Sequence, residues 1–152
     1  MTPGFVSKRV VADRIEWITH MLHEIRALPL QDQEAFFTDS RNLWTAESCL
    51  RRALEALFDL ARHILAKGLG VGVSEYKEIA MKLGDNQVLS YQDAQLLGTL
   101  AGYRNRLVHF YHEVGSEELY LICRDQLGDL EKIVGAFKAW LKNNPDRMDQ
   151  GL

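Results

Sequence analysis

The sequence predicts an all-α protein, an antiparallel helical bundle of about four long helices and one short one. Three observations predict it. Apolar residues recur every three or four positions along nearly all of the 152-residue chain, the period of a helix with one buried face. No segment keeps the strict alternation of a half-buried strand. No internal repeat, low-complexity stretch or long linker separates the periodic segments, and short connections favour antiparallel neighbours.

Val11, Ile15, Ile18, Leu22 and Ile25 form one stripe, and Pro29 closes that helix. A second long helix carries Leu43, Leu50, Leu54, Leu57, Ala61 and Ile64 on one face. Ser40 is its expected N-cap, with a short helical turn through Ala35-Phe36-Phe37 ahead of it. "KGLGVG", Lys67 to Gly72, ends it, with Gly68 as the expected C′ residue. Ser74 caps a short third helix that ends near Gly84-Asp85-Asn86. "SYQD", Ser90 to Asp93, has the form of a capping box. It opens a fourth helix through Leu96, Leu97, Leu100, Ala101, Leu107 and Val108, broken at Gly115-Ser116. A last helix is expected from about Ser116 to Asn144. Its stripe is Leu119, Cys123, Leu127, Leu130, Val134, Phe137 and Leu141, and Pro145 and a polar tail over 145–152 follow. One domain is expected over 1–152, with its core from about 10 to 141.

Hydrophobic residues make up 47% and charged residues 26% of the chain, ordinary values for a globular protein. The net charge of −3 does not advertise nucleic-acid binding, although a local basic patch can hold phosphate within an acidic whole. The two cysteines, Cys49 and Cys123, are expected as buried thiols rather than a disulfide framework, which fits a reducing cytoplasm. "MTPGFVSKRVV" lacks the apolar stretch of a signal peptide. No run approaches the roughly 18 apolar residues of a membrane span. A soluble cytoplasmic protein with no membrane partner is therefore expected.

Most chemical motifs fail. "GLGVG" follows a helix, whereas a phosphate loop needs a strand before it. His20 and His23 lie on one helix with no Glu-x-x-His or His-Glu-x-x-His motif in the chain, so they read as solvent-facing, as does His63. No metal site and no cofactor are expected. Trp17, Trp44 and Trp140 read as core or interface anchors before a base-stacking platform, and Arg51-Arg52 as a solvated helix face.

One stretch stands apart: "RNRLVHFYHE", Arg104 to Glu113, sets two arginines, two histidines, an asparagine and a tyrosine inside an otherwise apolar helical pattern. On a regular helix Arg104 falls among Leu97, Leu100, Leu107 and Val108, and Tyr111 lies within about 20° of it. His109 points about 140° away from Arg104. Two readings fit a guanidinium so placed. It is a structural arginine paired with a carboxylate from another helix, or it stands at the mouth of a cleft. The residue types suit a reaction. Histidine moves protons near neutral pH, arginine offers a fork matched to phosphate, and Asn105 can orient either. With no metal-ligand set nearby, the combination suits metal-independent cleavage of RNA. One straight helix does not easily aim Arg104 and His109 at one phosphate. Either the helix distorts near Val108 or a second chain supplies part of each site.

"Arg104-Asn-Arg-Leu-Val-His109-Phe-Tyr111" resembles the Arg-x4–6-His signature of the HEPN superfamily, in the extended form that ends His-x-Tyr. The resemblance extends from about Val10 to Leu141 and points to the HepT branch, RNase toxins encoded beside a minimal nucleotidyltransferase antitoxin of the MntA type. It implies a two-fold homodimer that brings two Arg/His sets into one cleft, with Arg104 and His109 as the catalytic pair. Asn105 would hold the polar position after the arginine, and Tyr111 the tyrosine that the nucleotidyltransferase modifies with AMP. It implies metal-independent cleavage of tRNA or mRNA that leaves a 2′,3′-cyclic phosphate. The acidic whole calls for a locally basic cleft, with Arg106 and Arg104 supplying the charge. Two other readings remain at this stage. The chain could be a non-catalytic subunit that docks a nucleotidyltransferase and binds nucleotide or substrate, or a bundle in which Arg104 is a buried ion-pair partner.

Overall fold

The computed structural model describes residues 4–110 and 112–150. They form seven α-helices: α1 (Lys8–Arg26), α2 (Gln33–Thr38), α3 (Ser40–His63), α4 (Tyr76–Asp85), α5 (Tyr91–Leu107), α6 (Ser116–Asp125) and α7 (Leu127–Asn143). A π turn (Ile64–Gly68) extends α3, and a 3-10 turn (Pro145–Arg147) follows α7. Four helices are long and three short, so the all-α bundle stands as the sequence predicts.

Side-chain caps start four of the helices. Ser7, Asp32, Asp39 and Ser90 accept from Val10, Ala35, Arg41 and Asp93 backbone N–H groups at 3.2, 3.1, 3.0 and 3.1 Å, satisfying donors that a helix start leaves open. Two expected caps shift. Asp39 rather than Ser40 caps α3, and α4 starts after Glu75 rather than Ser74, with no side-chain cap.

α3 is the central element. α1 lies along it, and α2, α4, α5, α6 and α7 also touch it. Its Leu50, Leu54, Leu57 and Phe58 are fully enclosed in one hydrophobic cluster that draws on every α-helix. Gly84 lets α4 approach α5 closely, because a Cβ there would stand 2.9 Å from that of Ala94.

Two expected helix bounds are corrected. The α3 end does not close at Gly68. The π turn carries the chain two residues further, and Gly70 takes the left-handed conformation (φ 69°), which glycine adopts freely. Val71 N–H then returns to the Leu65 carbonyl at 2.9 Å, a Schellman-like closure. The final helix is two helices. Gln126 leaves helical geometry (φ −122°, ψ 8°), and its side-chain oxygen accepts from the Tyr103 hydroxyl of α5 at 2.7 Å.

Through Arg147 and Met148, the segment after α7 is docked. Val6, fully buried, pairs with Met148, Val6 N–H donates to the Arg147 carbonyl at 2.8 Å, and Arg147 donates to the Gly68 carbonyl at 2.6 Å. His63 joins this clasp rather than facing solvent, because its Nε2 accepts from Ser7 N–H at 2.9 Å. Burial, then Lys67 and Arg14, hold the His63 pKa below its ordinary value, opposed by Asp149.

Cys123 is buried and Cys49 half-buried, both as free thiols. Burial pushes the Cys123 thiol up to about 12. Trp17 and Trp44 stay outside the core, and Trp140 packs at its edge.

Candidate active site

The last turn of α5 presents Arg104, Asn105 and Arg106, and the helix stops at Leu107. It does not run on toward Gly115. Val108 caps it, and His109 N–H closes a turn onto the Arg106 carbonyl at 3.0 Å. The chain then folds back on itself. The His109 carbonyl accepts from His112 and Glu113 N–H, each at 2.9 Å, Phe110 bridges Val114, and Val114 is buried as an anchor. The distortion near Val108 that one helix would need to aim both groups together is therefore present. Tyr111 lies outside the described residues.

Arg106 holds this loop. Its guanidinium forms a two-pronged pair with the Glu118 carboxylate of α6 at 2.9 and 2.6 Å, and Nη2 also donates to the Glu113 carbonyl at 2.6 Å. The Glu118 hydrogen bonds raise the Arg106 pKa above its ordinary value. Arg106 thus tethers the loop, with its charge paired to Glu118.

Arg104 has the partner from another helix that one sequence reading foresaw. Nη2 meets Glu55 Oε2 of α3 at 3.3 Å. It is not deeply buried, since 26% of its side chain remains exposed. Its Cζ lies 4.5 Å from the centre of the Tyr76 ring, a cation–π distance. Glu55 is shared with Arg51 at 3.4 Å, and Arg51 also pairs with Glu47 at 3.0 Å. The Arg51 face is therefore a ladder of i,i+4 pairs rather than a plainly solvated one, and hydrogen bonding to Glu47 raises the Arg51 pKa.

His109 is exposed, with Nε2 3.6 Å from the Glu113 carboxylate, close enough to hold the ring when the imidazole carries a proton. Asn105, next to Arg104 in sequence, is exposed. Between α3 and the loop runs a groove of about 520 Å³, lined by Trp44, Glu47, Arg51, Glu55, Leu107, Val108 and Phe110. It touches the partner of Arg104 on one wall and both chain neighbours of His109 on the other. Trp44 stands edge-on to Phe110, with ring centres 6.2 Å apart.

Neither Arg104 nor His109 lines the groove, but each adjoins a residue that does: Arg104 pairs with Glu55, and the exposed His109 stands between Val108 and Phe110 in sequence. That set offers proton transfer and phosphate contact. Among the described residues, no group of three or more His, Cys, Asp or Glu gathers as a metal site would require, and no helix is long and apolar enough to cross a membrane.

Sequence reasoning missed Glu55 and Tyr76, which reach Arg104 from distant parts of the chain. The Glu47-Arg51-Glu55 spacing was a legible signal of an ion-pair ladder. Nothing in the sequence tied it to Arg104.

A family model described as ribonuclease HepT-like matches residues 15–137. A tRNA nuclease HepT from Aphanizomenon flos-aquae (strain 2012/KM1/D3) is 26% identical over 113 residues, spanning 74% of this chain and 76% of the relative. The tri-AMPylated Shewanella oneidensis HEPN toxin, solved in complex with an MNT antitoxin, superposes with a TM-score of 0.76 at 22% identity, covering 86% of this chain and 97% of that one. YutE, a cytosolic protein of unknown function from Bacillus subtilis, superposes with a TM-score of 0.74 at 18% identity, covering 93% and 94% of the two chains. At such identities the structural likeness establishes the fold.

Proposed function

The chain belongs to the HepT-like ribonuclease family, and we propose that it is a metal-independent endoribonuclease toxin acting on RNA, tRNA or mRNA, through Arg104 and His109. The observation that carries this reading is the placement of His109. It is exposed on a loop that Arg106 ties to α6, one turn beyond the helix that presents Arg104.

The reaction is an in-line transesterification. The ribose 2′-oxygen bonds to phosphorus as the P–O5′ bond breaks, leaving a 2′,3′-cyclic phosphate and a 5′-hydroxyl. A histidine takes the 2′-hydroxyl proton or supplies one to the departing 5′-oxygen. One imidazole performs one of these steps, and a second copy of the chain supplies the other in a homodimer cleft. Arg104 stabilises the charge on the equatorial phosphate oxygens, and Asn105 orients the pair.

The same reading gives the chain a nucleotidyltransferase antitoxin partner of the MntA type and a cytoplasmic setting. AMPylation of Tyr111 forms a bond from the tyrosine oxygen to the α-phosphorus of ATP and releases pyrophosphate. A bulky anion two residues from His109 repels RNA by charge and by size. The test is RNA cleavage by purified protein with EDTA present. Wild type should cut and leave cyclic phosphate ends, and folded His109→Ala should lose roughly 10²–10⁴-fold. Equal cutting by the two proteins would refute the assignment.

A further inference from the structure

The guanidinium of Arg104 has a plane as well as a charge, and its polar contacts do not fix that plane. Nη2 meets Glu55 at 3.3 Å, a carboxylate shared with Arg51. A single contact at one corner leaves the group free to swing about it. Nε is buried and has no hydrogen-bond partner, so it adds no second anchor. The remaining neighbour is an aromatic face. Tyr76, the first residue of α4, presents its ring 4.5 Å from Arg104 Cζ. The Tyr76 ring is itself immobilised, because it stacks on Phe58 with centres 4.6 Å apart and planes 11° from parallel. Phe58 is fully buried. Besides Phe58, the ring has two guanidinium neighbours, Arg104 with Cζ at 4.5 Å and Arg62 with Cζ at 5.8 Å from its centre, so Arg104 is the closer cation.

A rigid line thus runs from the core through Phe58 and Tyr76 to Arg104. Arginine stacks on aromatic faces because its delocalised cation is flat and weakly hydrated. We propose that Tyr76 is a positioning residue for Arg104, setting the guanidinium plane through the stack while Glu55 sets its direction. The ring, and not the hydroxyl, performs this role. The inference rests on the proposed function for its effect on RNA cleavage, and the stack itself is measurable without any activity.

The experiment has two arms. In the first, nuclear magnetic resonance of ¹⁵N-labelled protein locates the Arg104 Nε–H, assigned by its disappearance in Arg104→Lys. The ring current of Tyr76 should displace this resonance upfield of the exposed arginines. The displacement should persist in Tyr76→Phe and collapse in Tyr76→Leu. An undisplaced resonance in wild type overturns the inference whether or not the variants fold.

In the second arm, steady-state RNA cleavage is measured for the same proteins after folding is verified by circular dichroism. Tyr76→Leu should lower kcat roughly three- to thirty-fold, the range such a contact supports, with KM changed much less. Tyr76→Phe should recover most of the turnover. In an Arg104→Lys background, Tyr76→Leu should add little further loss, whereas a general loosening of the fold would multiply through unchanged. Wild-type turnover by Tyr76→Leu beside an inactive Arg104→Ala overturns the inference and leaves the proposed function standing. A fully active Arg104→Ala overturns the proposed function, while the resonance arm still reports whether the stack exists.

Discussion

Replacing Arg104 with alanine separates a structural arginine from a working one. The side chain is 26% exposed and its ion pair with Glu55 spans 3.3 Å, so that pair contributes about 0.2–1 kcal/mol. The contact with Tyr76 at 4.5 Å contributes about 0.5–1 kcal/mol at such exposure. Together they give a stability loss of about 1–2 kcal/mol, or roughly 2–8 °C in Tm for a domain of this size. A deeply buried ion pair broken on one side would instead cost about 3–5 kcal/mol. Loss of a group that holds developing phosphate charge should lower cleavage by roughly 10²–10³-fold. Urea unfolding followed by circular dichroism reads the first quantity, and cleavage of labelled RNA by the folded variant reads the second. A loss near 4 kcal/mol would make Arg104 a structural ion. Undiminished cleavage by a folded variant would remove it from the chemistry.

Arg106→Ala should behave differently. The Arg106–Glu118 pair is half-exposed, so unfolding should change by roughly 1 kcal/mol or less. Amide exchange at His109 through Glu113 should accelerate and cleavage should fall, and unchanged exchange there would show that the loop does not depend on this tether. His63 gives a pH signature. Its folded pKa lies below the ordinary value, so the folded state takes up a proton less readily than the unfolded one. The stability it contributes is fully present above about pH 6.5 and lost as pH falls through the folded pKa. His63→Ala should therefore be less stable than wild type near pH 8 by about 1 kcal/mol, one hydrogen bond, and the gap should narrow toward pH 5. A gap that stays constant with pH would contradict the neutral-acceptor role.

The long helices were legible because each buries one continuous stripe, and a stripe is local information. Ser90 shows the same for a cap, since its partner Asp93 is three residues away. The break at Gln126 was hidden. No proline marks it, Gly128 falls inside α7 rather than at the break, and Cys123 to Leu127 keeps an unbroken four-residue step across it. The Tyr103 hydroxyl that meets Gln126 comes from another helix. The true end of α5 was equally obscure, because Val108 continues the apolar stripe and the turn is held by Arg106 reaching forward to Glu118. Arg104 and His109 were conspicuous as polar residues in an apolar pattern. Their supports were not. Glu55 lies 49 residues from Arg104 in sequence, and Tyr76 looked like any apolar residue of a short helix.

The pairing of Val6 with Met148 closes the backbone into a near-complete circle without a covalent bond. So large a ring carries a high closure entropy, and it becomes favourable only once the helices between have drawn its two sides together. Assembly of the clasp therefore reports that everything it encloses is already in place. Joining those two segments by a short peptide and opening the chain elsewhere would leave the same object, with its beginning moved.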